Sequence, residues 1–103
     1  MIEVMVLIPV TSNEGETFGA AHHVAFEAFV LARFGGITRL PGAAAGSWLD
    51  NGAVFTDATI VYVIAVTGLV AQSTALREVV EFAKAHYAQL AIYVRYLGLS
   101  EVL

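Results

Sequence analysis

A chain of 103 residues is long enough to bury roughly two-thirds of its unfolded surface in one core, so a single domain spanning residues 1–103 is expected. Hydrophobic residues make up 58% and charged residues 14%, against roughly 45–50% and about 25% in an average soluble domain, and this surplus calls for cover by other subunits. A net charge of −4 with five unclustered Lys and Arg residues argues against nucleic acid and anionic membrane surfaces as partners, and the lack of Cys rules out disulfides, thiolate metal sites and iron–sulfur clusters.

Ile2 to Val10 is almost wholly apolar and β-branched, the pattern of a buried strand that Pro9 ends. Met1-Ile2-Glu3 leads into it without a basic segment, and no cleavage site comes after it, so cytoplasmic residence is the expectation. Thr11 to Gly15 is turn-forming. From Thr17 to Phe34 the pattern becomes helical, with Phe18, Ala25, Phe26 and Phe29 on one side and Gly35-Gly36 as the stop. A second strand starts at Ile37 to Leu40, is interrupted by a bulge within Pro41 to Gly46, and resumes at Ser47-Trp48-Leu49 before a hairpin turn at Asp50-Asn51-Gly52.

Val54 to Thr67 is the third strand. Its half from Ile60 to Val66 is apolar at every position, as expected for the centre of a sheet. Ala58 to Leu76 carries no charge and nearly matches a membrane span in length, but its β-branched and aromatic start and its breaks at Thr67-Gly68 and Gln72-Ser73-Thr74 favour strand and turn. Ser73 or Thr74 caps a second helix, with Leu76, Val79, Val80, Ala83 and Tyr87 on one face and Arg77, Glu78, Glu81 and Lys84 on the other. Leu90 to Leu97 is the fourth strand, and Gly98 to Leu103 a tail that pairs at an edge or docks on a neighbour. The order is β-α-β-β-α-β, which predicts an α+β, ferredoxin-like domain: a four-stranded antiparallel sheet with two helices on one face.

Such a sheet leaves one face for water, ligand or partner. Strand alternation puts Val4, Val6 and Ile8 toward the helices and Glu3, Met5 and Leu7 away, and it separates Ile92 and Val94 from Tyr93 and Arg95. Tyr62 is expected on the free face with Ile60 and Ile64, because small β-branched residues pack more easily beneath a helix. Arg39 joins that face or not according to the bulge, since one inserted residue flips every side chain beyond it. Glu3, Met5, Tyr62, Tyr93 and Arg95, with Arg39 and with His22 at a cleft edge, are the candidate ligand-facing residues for a small acidic or aromatic molecule. The apolar character of the chain favours a dimer interface over a ligand pocket on this face, with Ile60, Ile64 and Trp48 among its contacts, and a pocket between two sheets would serve both roles.

His22 lies on the aromatic stripe of the first helix and reads as a structural histidine. His23 and Glu27 sit one turn apart on the opposite face and read as a solvated pair, because no third ligand has the spacing to complete a metal site with them. His86 is structural or interfacial, and Trp48 is either a subunit anchor or a cross-strand partner for a residue near Val54. Gly42 to Gly46 lacks the lysine of a phosphate-cradling loop, and no nucleophile–base pair or paired catalytic carboxylates stand out. No catalytic residue, metal or cofactor is assigned.

With Gly35-Gly36-Ile37-Thr38, Gly46-Ser47-Trp48, Gln89-Leu90-Ala91-Ile92 and the whole-chain element order, the sequence resembles the small bacterial ferredoxin-like proteins and is similar to the dimeric α+β barrels. The resemblance implies either no assigned activity or, as in some dimeric barrels, cofactor-independent oxygenase chemistry on aromatic substrates between helices and sheet. No motif carries their catalytic residues onto this chain. The leading expectation is therefore a self-associating, non-enzymatic small-molecule-binding or regulatory protein. The alternatives are a small cofactor-independent oxygenase or isomerase using His22, Tyr62 and Arg95 around one pocket, and a structural subunit of a heteromeric complex.

Overall fold

Alternating burial defines the first strand, β1 (Ile2–Pro9): Val4, Val6 and Ile8 are buried, and the residues between them are half-buried. The computed structural model describes residues 2–42 and 44–99, apart from the side chains of Trp48, Asp50, Phe55 and Leu99. After β1 the chain does not enter a helix at Thr17. Thr17 bridges back to Thr11, and the Phe18 N–H donates to Val10 O at 3.0 Å, closing a small loop that delays helix α1 (Ala20–Phe34). Gly35 ends α1 in the left-handed region, φ 73°, with its N–H donating to Leu31 O.

Two short segments then run along one edge of the long strand β4 (Ala53–Val66): β2 (Thr38–Arg39) and β3 (Ala44–Asp50). These are the two halves of the interrupted second strand, so among the described residues the sheet has five strands where four were expected. Arg39 lies opposite Tyr62 and Ala44 opposite Thr59, so the edge takes five steps while β4 takes three. The interruption therefore contains two extra residues, and an even insertion preserves the facing of the residues beyond it. Ala43, inside that bulge, lies outside the described residues.

The hairpin turns where expected. Asp50 pairs with Ala53, and Asn51 (φ 50°) and Gly52 (φ 78°) both take positive φ, as a two-residue turn matched to strand twist requires. β4 then pairs antiparallel with β1, and β1 with β5 (Tyr93–Leu99), giving the order β2-β4-β1-β5 with β3 on the β2 side. The apolar Ala58–Leu76 stretch is divided among the end of β4, a turn and the start of helix α2 (Ser73–His86). Among the described residues no helix is long and apolar enough to cross a membrane.

Gln72, rather than Ser73 or Thr74, precedes α2. Its Oε1 accepts from the Thr67 N–H at 2.8 Å, the Thr67 hydroxyl at 3.1 Å and the Gly68 N–H at 3.3 Å, tying the turn to the helix entry. At the other end Ala88 takes φ 53°, and the Gln89 N–H donates to Lys84 O at 2.8 Å, an arrangement usually given to glycine. Replacing Ala88 with glycine is expected to raise stability by about 0.5–1 kcal/mol through relief of this left-handed strain, read as a higher urea midpoint. The fourth strand predicted from Leu90 begins only at Tyr93, and Leu90 is almost fully exposed. The predicted tail beyond Leu99 lies outside the described residues.

Both helices cover the face that carries Val4, Val6, Ile8, Ile60, Tyr62, Ile64 and Val66, and they meet it with Phe26, Val30, Leu76, Val79, Ala83 and Tyr87. This corrects the expectation for Ile60, Tyr62 and Ile64, which are core residues beneath the helices and not free-face contacts. A tyrosine fits there because its hydroxyl finds a partner at the core's edge.

Candidate functional site

The sheet divides the predicted ligand-facing residues into two groups. Glu3, Met5, Tyr93 and Arg95 do share the free face: Met5 lies between Val63 and Arg95, and Leu7 between Val61 and Tyr93. Arg39, Tyr62 and His22 lie on the helix side. Register puts Arg39 beside Tyr62, and the two meet at the same carboxylate. His22, Tyr62 and Arg95 therefore cannot surround one pocket, and the predicted oxygenase or isomerase site does not assemble. Trp48 lies in β3 opposite Phe55, and its proposed contact falls outside the described side chains.

On the helix side, α1 presents His23, Phe26 and Val30 to the core, with Glu27 beside them. The reading of His23 and Glu27 as a solvated pair is thus wrong: the spacing of His23, Phe26 and Val30 is itself that of one buried helix stripe. The Tyr62 hydroxyl donates to Glu27 Oε2 at 2.6 Å, and Arg39 Nη1 lies 3.6 Å from the same oxygen. His23 Nδ1 and the Tyr87 hydroxyl are 2.8 Å apart.

Burial pushes the phenols of Tyr62 and Tyr87 above the ordinary tyrosine value, the hydrogen bond to Glu27 adding to the effect at Tyr62. Burial, reinforced by Arg39 and His22, holds His23 below the ordinary histidine value. The tyrosines therefore stay protonated and His23 is a neutral ring; Tyr62 donates to Glu27, and the tautomer of His23 sets which partner donates in its bond with Tyr87. The cluster joins α1 to the sheet and α2 through bonds among its own groups.

The free face carries a groove of about 440 Å³. Leu7 and Pro9 of β1 form its apolar floor. Gly46, Asp57 and Thr59 of the β3–β4 hairpin bound it on one side, and Ile92, Tyr93 and Arg95 bound it on the other. Arg95 Nη2 donates to the Tyr93 hydroxyl at 3.3 Å, and its guanidinium carbon lies 5.7 Å from the Tyr93 ring centre. Asp57, Thr59 and Gln89 were not predicted, although Asp57 and Thr59 share strand parity with Val61 and Val63 on the free face. A second hollow of about 400 Å³ lies on the helix side, beneath the first turns of α2, lined by Leu69, Leu76, Val94 and Tyr96 among others. Among the described residues no three potential metal ligands converge.

No family model matches the chain, and no curated protein matches it. Solved structures share its fold. The divalent cation tolerance protein CutA1 from Thermus thermophilus aligns at TM-score 0.67 and 13% identity, over 99% of this chain and 86% of that one. CutA from Xylella fastidiosa aligns at 0.66 and 17%, with the same coverage. A phage SAM lyase in complex with S-methyl-5′-thioadenosine aligns at 0.68 and 11%, over 92% of this chain and 78% of that one. At these identities the likeness is one of fold, a small α+β domain with an antiparallel sheet.

Proposed function

We infer that this is a self-associating protein of ferredoxin-like type that binds a small aromatic acid in the free-face groove. The groove itself carries the reading. It joins an apolar floor to a cation and an aromatic ring on one wall and an acceptor, Asp57, on the other, the usual make-up of a small-molecule site. Arg95 receives the acidic group, Tyr93 lies beside the ring, and Asp57 selects a ligand with a hydrogen-bond donor at its far end. The phage SAM lyase supports the reading to the extent that a chain of this fold can hold a small heteroaromatic molecule.

Self-association is supported by what the surface leaves uncovered. The outward side of α1 carries Ala21, Val24, Ala25, Ala28, Leu31 and Ala32, all exposed and none charged. Tyr93, Tyr96 and Leu97 of β5 are also exposed, beside a sheet edge with no strand paired to it among the described residues. Sedimentation at micromolar concentration is expected to show a dimer or larger species. Thermal-shift titration with aromatic carboxylates and with S-methyl-5′-thioadenosine is expected to raise the melting midpoint for the carboxylates, and Arg95→Ala to weaken that binding at least about tenfold, as loss of one charged hydrogen-bonding group does. A monomer that no compound in the panel stabilises at millimolar concentration would overturn the reading.

A further inference from the structure

The helix layer stops short of the last strand. Val4 and Val6 of β1 are buried, yet the residues opposite them on β5 are not: Val94 is half-buried, and Tyr96 is 59% exposed. Opposed residues of an antiparallel pair share one face, so all four point toward the helices, which cover β1 fully and β5 only in part. The hollow of about 400 Å³ beneath the first turns of α2 is the space this leaves, and its size falls within the roughly 300–1,000 Å³ of small-molecule sites. Buried Val6, Leu76 and Val79 form its floor and partly buried Leu69, Val80 and Val94 its sides, so the walls are aliphatic.

Polar groups are few at this hollow. Among the described residues no carboxylate lines it, and Ser73 Oγ donates to Val70 O at 3.0 Å, which leaves the Tyr96 hydroxyl and the exposed Arg77 guanidinium at its rim. Of the five Lys and Arg residues in the chain, Arg33 pairs with Glu78, Arg39 with Glu27 and Lys84 with Glu81. The two that have no carboxylate partner among the described residues are Arg95, which lines the free-face groove, and Arg77, which lines this hollow. In a chain with nine acidic residues, a cation kept clear of carboxylates beside aliphatic walls is complementary to a ligand with an anionic head and an apolar body.

We propose that this hollow is a second ligand site and that it takes an unbranched aliphatic carboxylate, with the hydrocarbon chain between α2 and β5 and the carboxylate on Arg77. Aliphatic walls suit a ligand with no polar group along its length, since a polar body would lose its water there and gain no partner. A second copy of this chain is the poorer occupant, because a two-fold contact through the hollow brings Arg77 toward its own copy with no carboxylate lining the surface among the described residues. The site lies on the opposite face of the sheet from the groove and does not rest on the binding role proposed above.

The test is a methyl NMR titration of the full chain with hexanoate, octanoate and decanoate. Saturable shifts are expected at Leu69, Leu76 and Val94, and not at Leu7 or Ile92 of the groove. Each methylene buried tightens binding about fourfold, so each two-carbon step is expected to raise affinity by at least roughly tenfold. Arg77→Gln changes an exposed side chain with no carboxylate partner among the described residues, so it is expected to fold as the wild type does and to weaken decanoate binding at least about tenfold. Affinity indifferent to chain length, or equal in wild type and Arg77→Gln, would overturn the site. So would decanoate shifts confined to Leu7 and Ile92, and so would shifts at Leu69, Leu76 and Val94 that follow dilution of the protein and ignore decanoate, the sign of a second copy on the hollow. Failure of the groove reading shows instead in the aromatic carboxylates and Arg95→Ala, which this titration does not use.

Discussion

Replacing Phe26 with alanine is expected to lower the unfolding free energy by about 3–5 kcal/mol, the range for emptying a buried aromatic site. Phe26 is inaccessible to solvent, and its ring lies 5.3 Å from that of Tyr62 on β4 and 5.8 Å from that of Tyr87 at the end of α2. It is thus where α1, α2 and the sheet meet. The cavity would open among rigid rings and β-branched side chains that cannot collapse into it, which places the cost toward the upper end. A domain of this size has roughly 5–15 kcal/mol in all, so the variant is expected to be partly unfolded at 37 °C. Urea unfolding checks this: the midpoint should fall with the slope unchanged, and an unchanged midpoint would show that Phe26 is not the core contact described.

Tyr62→Phe is expected to cost about 1–2 kcal/mol, because it keeps the packing but leaves the Glu27 carboxylate without its shortest donor. Arg39 at 3.6 Å and the water that reaches Glu27 hold the loss below that of a fully buried charge. The variant also carries a pH signature. The folded chain holds Tyr62 and Tyr87 protonated beyond the ordinary value near 10, while the unfolded chain ionises there. The folded state then binds more protons, so wild-type stability falls as pH rises above about 10. Tyr62→Phe removes one of the two tyrosines and should make that fall shallower. Denaturation midpoints measured from pH 8 to 11 decide it, and parallel curves for the two proteins would refute the assignment.

The partition of the candidate site followed from register more than from residue type. Glu3, Met5, Tyr93 and Arg95 were readable as free-face residues because β1 and the start of β5 alternate without interruption. Tyr62 and Arg39 were not. Every residue from Ile60 to Val66 is apolar, so hydrophobicity carries no parity signal there, and the preference for small residues beneath helices pointed the wrong way. The tyrosine is buried because Glu27 meets its hydroxyl, a pairing of residues 35 apart in the chain. The contact of the His22 ring with the His86 carbonyl joins residues 64 apart and was equally beyond local patterns. Within α1, by contrast, the spacing of His23, Phe26 and Val30 held the right answer and was outweighed by the stripe through Phe18 and Phe29.

By itself the sequence determined the local structure that backbone chemistry dictates. Asn51-Gly52 makes the hairpin because it tolerates positive φ twice in succession, Gly35 ends α1 for the same reason, and the apolar alternation of β1 marks its core face. The surplus of apolar residues likewise shows up as exposed Val, Leu and Tyr side chains. Only the tertiary structure decided that the interrupted edge inserts two residues and not one, that Glu27, Tyr62 and Arg39 meet beneath α1, and that the hairpin and the 89–92 segment enclose a groove on the opposite face. The physical reason is common to all three. Each depends on which residues of distant segments lie opposite one another, and a pairing register is set by the summed packing of whole elements, which no local window of sequence contains.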